Sequence, residues 1–278
     1  MSSNLIRLAA LAGVLAVGVV AGPVVADAHS VALESGSGPA ANGVQVGDTP
    51  NLLASGSYSA IQYDAKLAAV QSYAESRRSS GVASASYVSR GISGWSQVHQ
   101  FTNEWCLSAF VQSAMGLHYS GYYWASDLTK TTAKQTAIHG VIGIDENAAL
   151  TWINGQLKGV GSTWFYVKYT APDAASFEGN AMYVIDRQWP SFARVHLTNK
   201  NYVWYQTSDA WHATGAVGYT NSGTYMSITD QFWSPNNSTG CVTGSSAGKQ
   251  YSQSGAWGCV YSGYSAAKYY LSENMEWL

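Results

Sequence analysis

An α+β domain is the fold class this sequence predicts, from two observations: helical periodicity dominates its first half, and β-branched, aromatic-rich runs with hairpin signals dominate its second. In the first half, Leu107, Phe110, Val111, Ala114 and Met115 fall at i, i+3, i+4, i+7 and i+8, the strongest helical period in the chain, with Asn103 placed as an N-cap. Before it, Ile61, Ala65, Ala68, Ala69 and Ser72 to Tyr73 suggest a helix ending near Arg77 and Arg78, ahead of a Ser/Gly stretch over 79–86. After it, a further helix starts at Asp145 and carries Ala149, Trp152, Ile153 and Leu157 on one face. Strand character marks 163–170, 192–198, 201–207, 212–220 and 225–229, and Asn221-Ser-Gly223 is a hairpin signal. No internal repeat is evident.

The first 28 residues predict an export signal. One positive charge precedes the uncharged apolar run Leu8 to Val20, and Ala26-Asp27-Ala28 supplies a small-x-small cleavage site. The apolar run stops near Gly22-Pro23, and no later stretch reaches the roughly 18 apolar residues of a membrane span, so no stable membrane insertion is expected after signal cleavage. Residues 29–57 are rich in Ser, Gly, Ala and Pro and read as a flexible linker, with a cleaved propeptide as the alternative. Residues 58–278 are long enough for one domain with a sizeable core. The expectation is a secreted, extracellular protein.

Composition narrows the function classes. Charged residues are 11% of the chain, hydrophobic residues 46% and aromatics 13%, with a formal net charge of −2. Disorder needs low hydrophobicity and high net charge, and nucleic-acid binding needs a strongly basic domain, so neither is expected. No cofactor or metal is implied: no Cys or His pair has structural-zinc spacing, and no glycine loop sits between a strand and a helix to hold phosphate.

Three cysteines in an exported chain leave one over. Cys241 and Cys259 bracket a Ser/Gly/Thr-rich loop that a disulfide would staple, worth about 3 kcal/mol by chain entropy. Cys106 is then the unpaired thiol. It can be a small buried hydrophobe, but it precedes the apolar stripe of its helix, where the N-terminal dipole favours the thiolate, the nucleophilic form. Such a thiol needs a base. His29 lies at the signal boundary, His118 is about three turns away at the far end of the same helix, His139 has no pattern around it, and His196 is inside a strand. His99 is close to Cys106 in sequence. His212 opens His212-Ala-Thr-Gly-Ala-Val-Gly-Tyr219, whose small residues allow close approach at a sheet edge, and the following strand ends at Asp230. A base and a carboxylate on antiparallel neighbours can meet across the pair, so Asp230 can orient His212. Gln100, in the loop entering the helix, can aim an amide N–H where an oxyanion forms, beside the Cys106 backbone N–H.

Gln100 and Cys106 opening a helix, then His-Ala-x-Gly-x-x-Gly-Tyr, then a strand ending in Asp, resemble the papain-like cysteine peptidases, in particular the branch that processes bacteriocin leaders. Residues 145–157 are similar to that branch's central helix, and Ile185-Asp-Arg-Gln-Trp-Pro190 followed by Phe192–Leu197 to its helix, x-Pro turn and strand. The resemblance covers about 97–233. It implies helices, among them the nucleophile helix, packed on a C-terminal antiparallel sheet, with Cys106 as nucleophile, His212 as general base and acid, Asp230 as orienter and Gln100 as oxyanion donor. It also implies a peptide, protein or cell-wall peptide as substrate. Leu107 departs from the small residue the family usually carries after its cysteine, which is expected to narrow the cleft or alter which substrates fit. Residues 58–96 and 234–278 lie outside the resemblance. Two other readings remain: acyl transfer by the same triad, transglutaminase-like or directed at peptidoglycan, and a secreted binding module using aromatic faces near Tyr119–Trp124 or Tyr202–Tyr205.

Overall fold

The computed structural model describes residues 58–80, 89–102, 104–124, 127–197, 210–220, 223–231, 249–252 and 259–278. The expected signal and linker over 1–57, the N-cap Asn103, the strand over 201–207 with its aromatic run, and Cys241 with its pairing to Cys259 lie outside them.

Among the described residues, six helices and eight strands follow in the order α1 (Ala60–Ser80), β1 (Arg90–Gly91), α2 (Cys106–His118), α3 (Leu128–Ile142), α4 (Glu146–Gly159), β2 (Lys168–Tyr169), α5 (Ala174–Asp186), β3 (Ser191–His196), β4 (Trp211–Thr220), β5 (Tyr225–Asp230), β6 (Lys249–Ser252), β7 (Cys259–Ser265), α6 (Ala266–Tyr270) and β8 (Glu273–Trp277). The strands form one antiparallel sheet in the order β2-β8-β3-β4-β5-β7-β6, and β1 pairs with the far end of β4. The class is therefore α+β. The helices do not all come first: α5 stands between β2 and β3, and α6 between β7 and β8. No described helix is long and apolar enough to cross a membrane.

Strand alternation divides the core. Ala193 and Val195 on β3 point into one cluster with Phe177, Ala181 and Ile185 of α5 and Tyr269 of α6. Phe192 on the same strand points into the other cluster, with Phe110 of α2, Ile138 of α3 and Ile153 of α4. β8 closes that second cluster: Trp277 is fully buried and stacks on Phe192 at 4.1 Å, and Phe110 meets the Phe192 edge at 5.2 Å. The tail beyond Ser234, outside the family resemblance, thus supplies two strands that flank β3 and β5.

Local chemistry accounts for the helices. Asp145 caps α4 by accepting from the Asn147 and Ala148 N–H groups, as its position predicts. Residues 107–115 of α2 are buried on every side, so this helix is a central rod rather than a surface amphipath. Helix α1 forms, with a different face inward: Lys66, Val70 and Ala74 are buried, whereas Ile61, Ala65, Ala68 and Ala69 are exposed. Ala74 is small enough to let α1 lie directly on Gly179 of α5.

Two carboxyls of β8 give the sheet a pH signature. Burial raises Glu276, which accepts from Asn180 Nδ2 at 2.7 Å, well above its usual range, and raises Glu273 to about 8. A carboxyl whose folded pKa lies above its unfolded value contributes stability that is complete below about 4.5 and is lost as pH rises toward about 8. Thermal melts from pH 5 to pH 8 are expected to show a falling Tm. Glu276→Gln keeps an oxygen for Asn180 without the charge, so it is expected to flatten that fall, with little effect at pH 5.

Candidate active site

Cys106 is the first residue of α2, and the residue before it, Trp105, takes the N-cap position without capping through its side chain. The expected cap, Asn103, is replaced in that position, and the first turn presents its N–H groups without a side-chain acceptor from the cap. Cys106 is half-buried. Leu107, 4% exposed, packs into the helix-side core cluster against which Cys106 also lies.

His212 stands near the start of β4. In the register, Thr214 faces Asp230, which makes Asp230 the diagonal neighbour of His212 across the strand pair. His212 Nε2 meets Asp230 Oδ1 at 2.8 Å, with 6% and 1% of the side chains exposed. Cys106 lies close enough to the same imidazole to raise its pKa. Because Nε2 is engaged by Asp230, Nδ1 is the ring nitrogen left to exchange a proton with the thiol. Burial alone would push His212 down. The Asp230 charge and its hydrogen bond, together with the influence of Cys106, outweigh burial and carry the imidazole up to about 10. At neutral pH the ring is therefore an imidazolium between Asp230 and Cys106. Below its unfolded value of about 6.5 this group contributes fully to stability, and the contribution is lost as pH rises through about 10.

Strand β4 is the middle of the sheet, flanked by β3 and β5, rather than a sheet edge. Its small residues serve close approach of another kind: Gly215 admits the Phe110 ring, one turn along α2 from Cys106. That contact sets the height of the nucleophile helix over the strand carrying His212. Beside His212, Trp211 is covered by the Arg194 guanidinium at 4.7 Å, and Arg194 pairs with Glu146 of α4 at 3.0 Å.

The loop before α2 is held by buried amides. Gln97 Nε2 donates to Ser113 Oγ, Ser113 Oγ accepts from Val98 N–H, and Gln97 Oε1 accepts from Thr229 Oγ1 of β5. Gln135 of α3 accepts from the Phe101 N–H and donates to the His99 carbonyl. Gln100 donates its backbone N–H to the Gln231 carbonyl at 2.8 Å, immediately after Asp230. Its side-chain Nε2 donates to the Thr102 carbonyl at 3.0 Å, which uses one of the two hydrogens on that nitrogen. The structure thus brings Cys106, His212 and Asp230 together and ties Gln100 to the end of the strand that bears Asp230.

The other described histidines have partners of their own. His99 Nδ1–H donates to the Gln100 carbonyl and its ring meets Phe101. His118 Nε2–H donates to the Gln188 carbonyl, and His196 stacks on Trp211. His139, which no sequence pattern marks, lies on α3, stacks on Trp105 at 5.0 Å and meets Ser108 Oγ at 3.3 Å, beside the turn that carries Cys106. Gln231 was also missed. It is fully buried next to Asp230, and neither side-chain polar atom has a hydrogen-bond partner among the described residues.

No protein-family model, no curated protein and no solved structure matches the chain.

Proposed function

We propose that this chain is an exported thiol hydrolase of papain-like architecture that cleaves an amide bond in a peptide, protein or cell-wall peptide. The observation that carries this reading is the continuous line from Cys106 through His212 to Asp230, with the thiol half-buried at a helix N-terminus and both partners buried behind it. With the proton already held by the His212 imidazolium, the Cys106 sulfur attacks the substrate carbonyl carbon as the thiolate. The oxygen of the tetrahedral intermediate takes the negative charge and is met by the Cys106 backbone N–H and the Gln100 amide. Collapse breaks the C–N bond, and the His212 imidazolium gives its proton to the departing amine, leaving a thioester on Cys106. Water then attacks the thioester while His212 removes its proton, and the thiol is restored. Asp230 holds the ring in the orientation that points Nδ1 at sulfur throughout.

The test is a panel of labelled casein, purified peptidoglycan, and casein with an amine donor, each incubated with the native protein and with Cys106→Ala. Cysteine-dependent release of new amino termini is the expected result. Incorporation of the amine donor without release would assign the same triad to acyl transfer instead. Retention of either variant on peptidoglycan without any cysteine-dependent product would overturn the enzymatic reading in favour of a binding module.

A further inference from the structure

At the opposite end of α2 from Cys106, a cavity of about 550 Å³ opens between α1, the segment over 163–165 and the end of α5. Its volume lies within the roughly 300–1,000 Å³ that small-molecule sites span. Trp189, which lines it, packs on His118, the last residue of α2. At 1.5 Å per residue, that end of the 13-residue helix is about 18 Å from the nucleophile. The cavity is therefore separate from the triad.

Its lining combines fixed aromatic walls with two cations. Phe165 stacks on Tyr58 behind it at 4.2 Å, and two lining residues, Trp189 and Trp164, lie parallel at 5.8 Å. Lys66 is a buried residue whose Nζ sits 3.5 Å from the Trp164 ring centre and donates to the Phe165 carbonyl. On the rim, the exposed Arg187 lies 3.4 Å over the Tyr183 ring. Among the described residues, neither cation has a carboxylate partner. The nearest in sequence, Asp186, is engaged by Arg90, Tyr73 and Tyr219. Burial, with the Arg187 charge beside it, pushes the Lys66 ammonium well below its usual range, and an anion bound beside it would favour the charged form again.

We propose that this cavity is a binding site for a small anion carried on a flat apolar ring, an aromatic carboxylate in its simplest form. The carboxylate meets Lys66 and Arg187, and the ring lies among Phe165, Tyr183 and Trp189. The charge supplies the counter-ion the two cations lack, and the aromatic walls select a ring over an aliphatic acid. The proposal is independent of the triad and of any turnover.

Isothermal titration of the full chain with 2-naphthoate, its neutral amide 2-naphthamide, and acetate tests it. One saturable site for 2-naphthoate is expected, with 2-naphthamide and acetate each at least tenfold weaker. Lys66→Met is expected to erase the preference for the acid over the amide. Should that variant unfold, Arg187→Gln, altered on the exposed rim, is expected to weaken 2-naphthoate severalfold and leave 2-naphthamide unchanged. Absence of a saturable 2-naphthoate site, equal binding of acid and amide, or 2-naphthoate binding that Arg187→Gln leaves unchanged would overturn the proposal.

Discussion

Cys106→Ala is expected to lose cysteine-dependent amide cleavage by a factor of about 10⁴ or more, the scale on which removal of a covalent nucleophile acts. The loss should not come from unfolding. Cys106 is half-buried at the rim of the helix-side cluster, and the core positions of α2 begin at Leu107, so the melting temperature is expected to stay within a few degrees of the native protein. His212→Ala is expected to act almost as strongly, because it removes both the proton acceptor for the thiol and the proton donor to the leaving amine. The three residues act as a unit, so the double variant should be little worse than either single one. Rate assays with circular-dichroism melts on the same preparations check both statements.

The second large effect is structural and lies at Gly215. A Cβ there would fall inside contact distance of the Ser191 carbonyl oxygen and 2.7 Å from the Phe110 ring. The carbonyl belongs to the paired strand β3 and the ring to α2, so neither side yields without moving an element. Gly215→Ala is expected to destabilise the protein by about 1–3 kcal/mol through overpacking. It should also lower activity in the fraction that remains folded, because lifting Phe110 from β4 lifts Cys106, one turn away, from His212. A melt combined with activity per folded molecule separates the two effects. Gly140→Ala supplies a control, since a Cβ there meets nothing within 4 Å.

The sequence pattern and the structure agree where a single local rule determines the outcome. The apolar spacing over 107–115 marks α2 and places Cys106 at its start, and the hairpin between β4 and β5 places Asp230 within reach of His212. They part where polar residues occupy core positions. Helix α3 carries no legible apolar stripe because Thr131 and Gln135, two of its four buried residues, pack through hydrogen bonds to the Trp124 carbonyl and to the loop over 99–101. His139 is on that helix, so its place beside the nucleophile turn was hidden with it. Helix α1 misleads for the opposite reason: Ala65, Ala68 and Ala69 face solvent, and its inward face uses Lys66, whose charge argues against burial. β8 is invisible locally, since its place between β2 and β3 comes from partners distant in sequence, through Trp277 stacked on Phe192.

The central claim is that His212, held by Asp230, activates Cys106. The most direct measurement is the rate of Cys106 carbamidomethylation by iodoacetamide at neutral pH, read by peptide mass spectrometry on native, His212→Ala and Asp230→Ala proteins. The account predicts fast, selective modification of Cys106 in the native protein, at least tenfold slower modification in His212→Ala, and an intermediate rate in Asp230→Ala. Equal, slow labelling of Cys106 in all three proteins would contradict it.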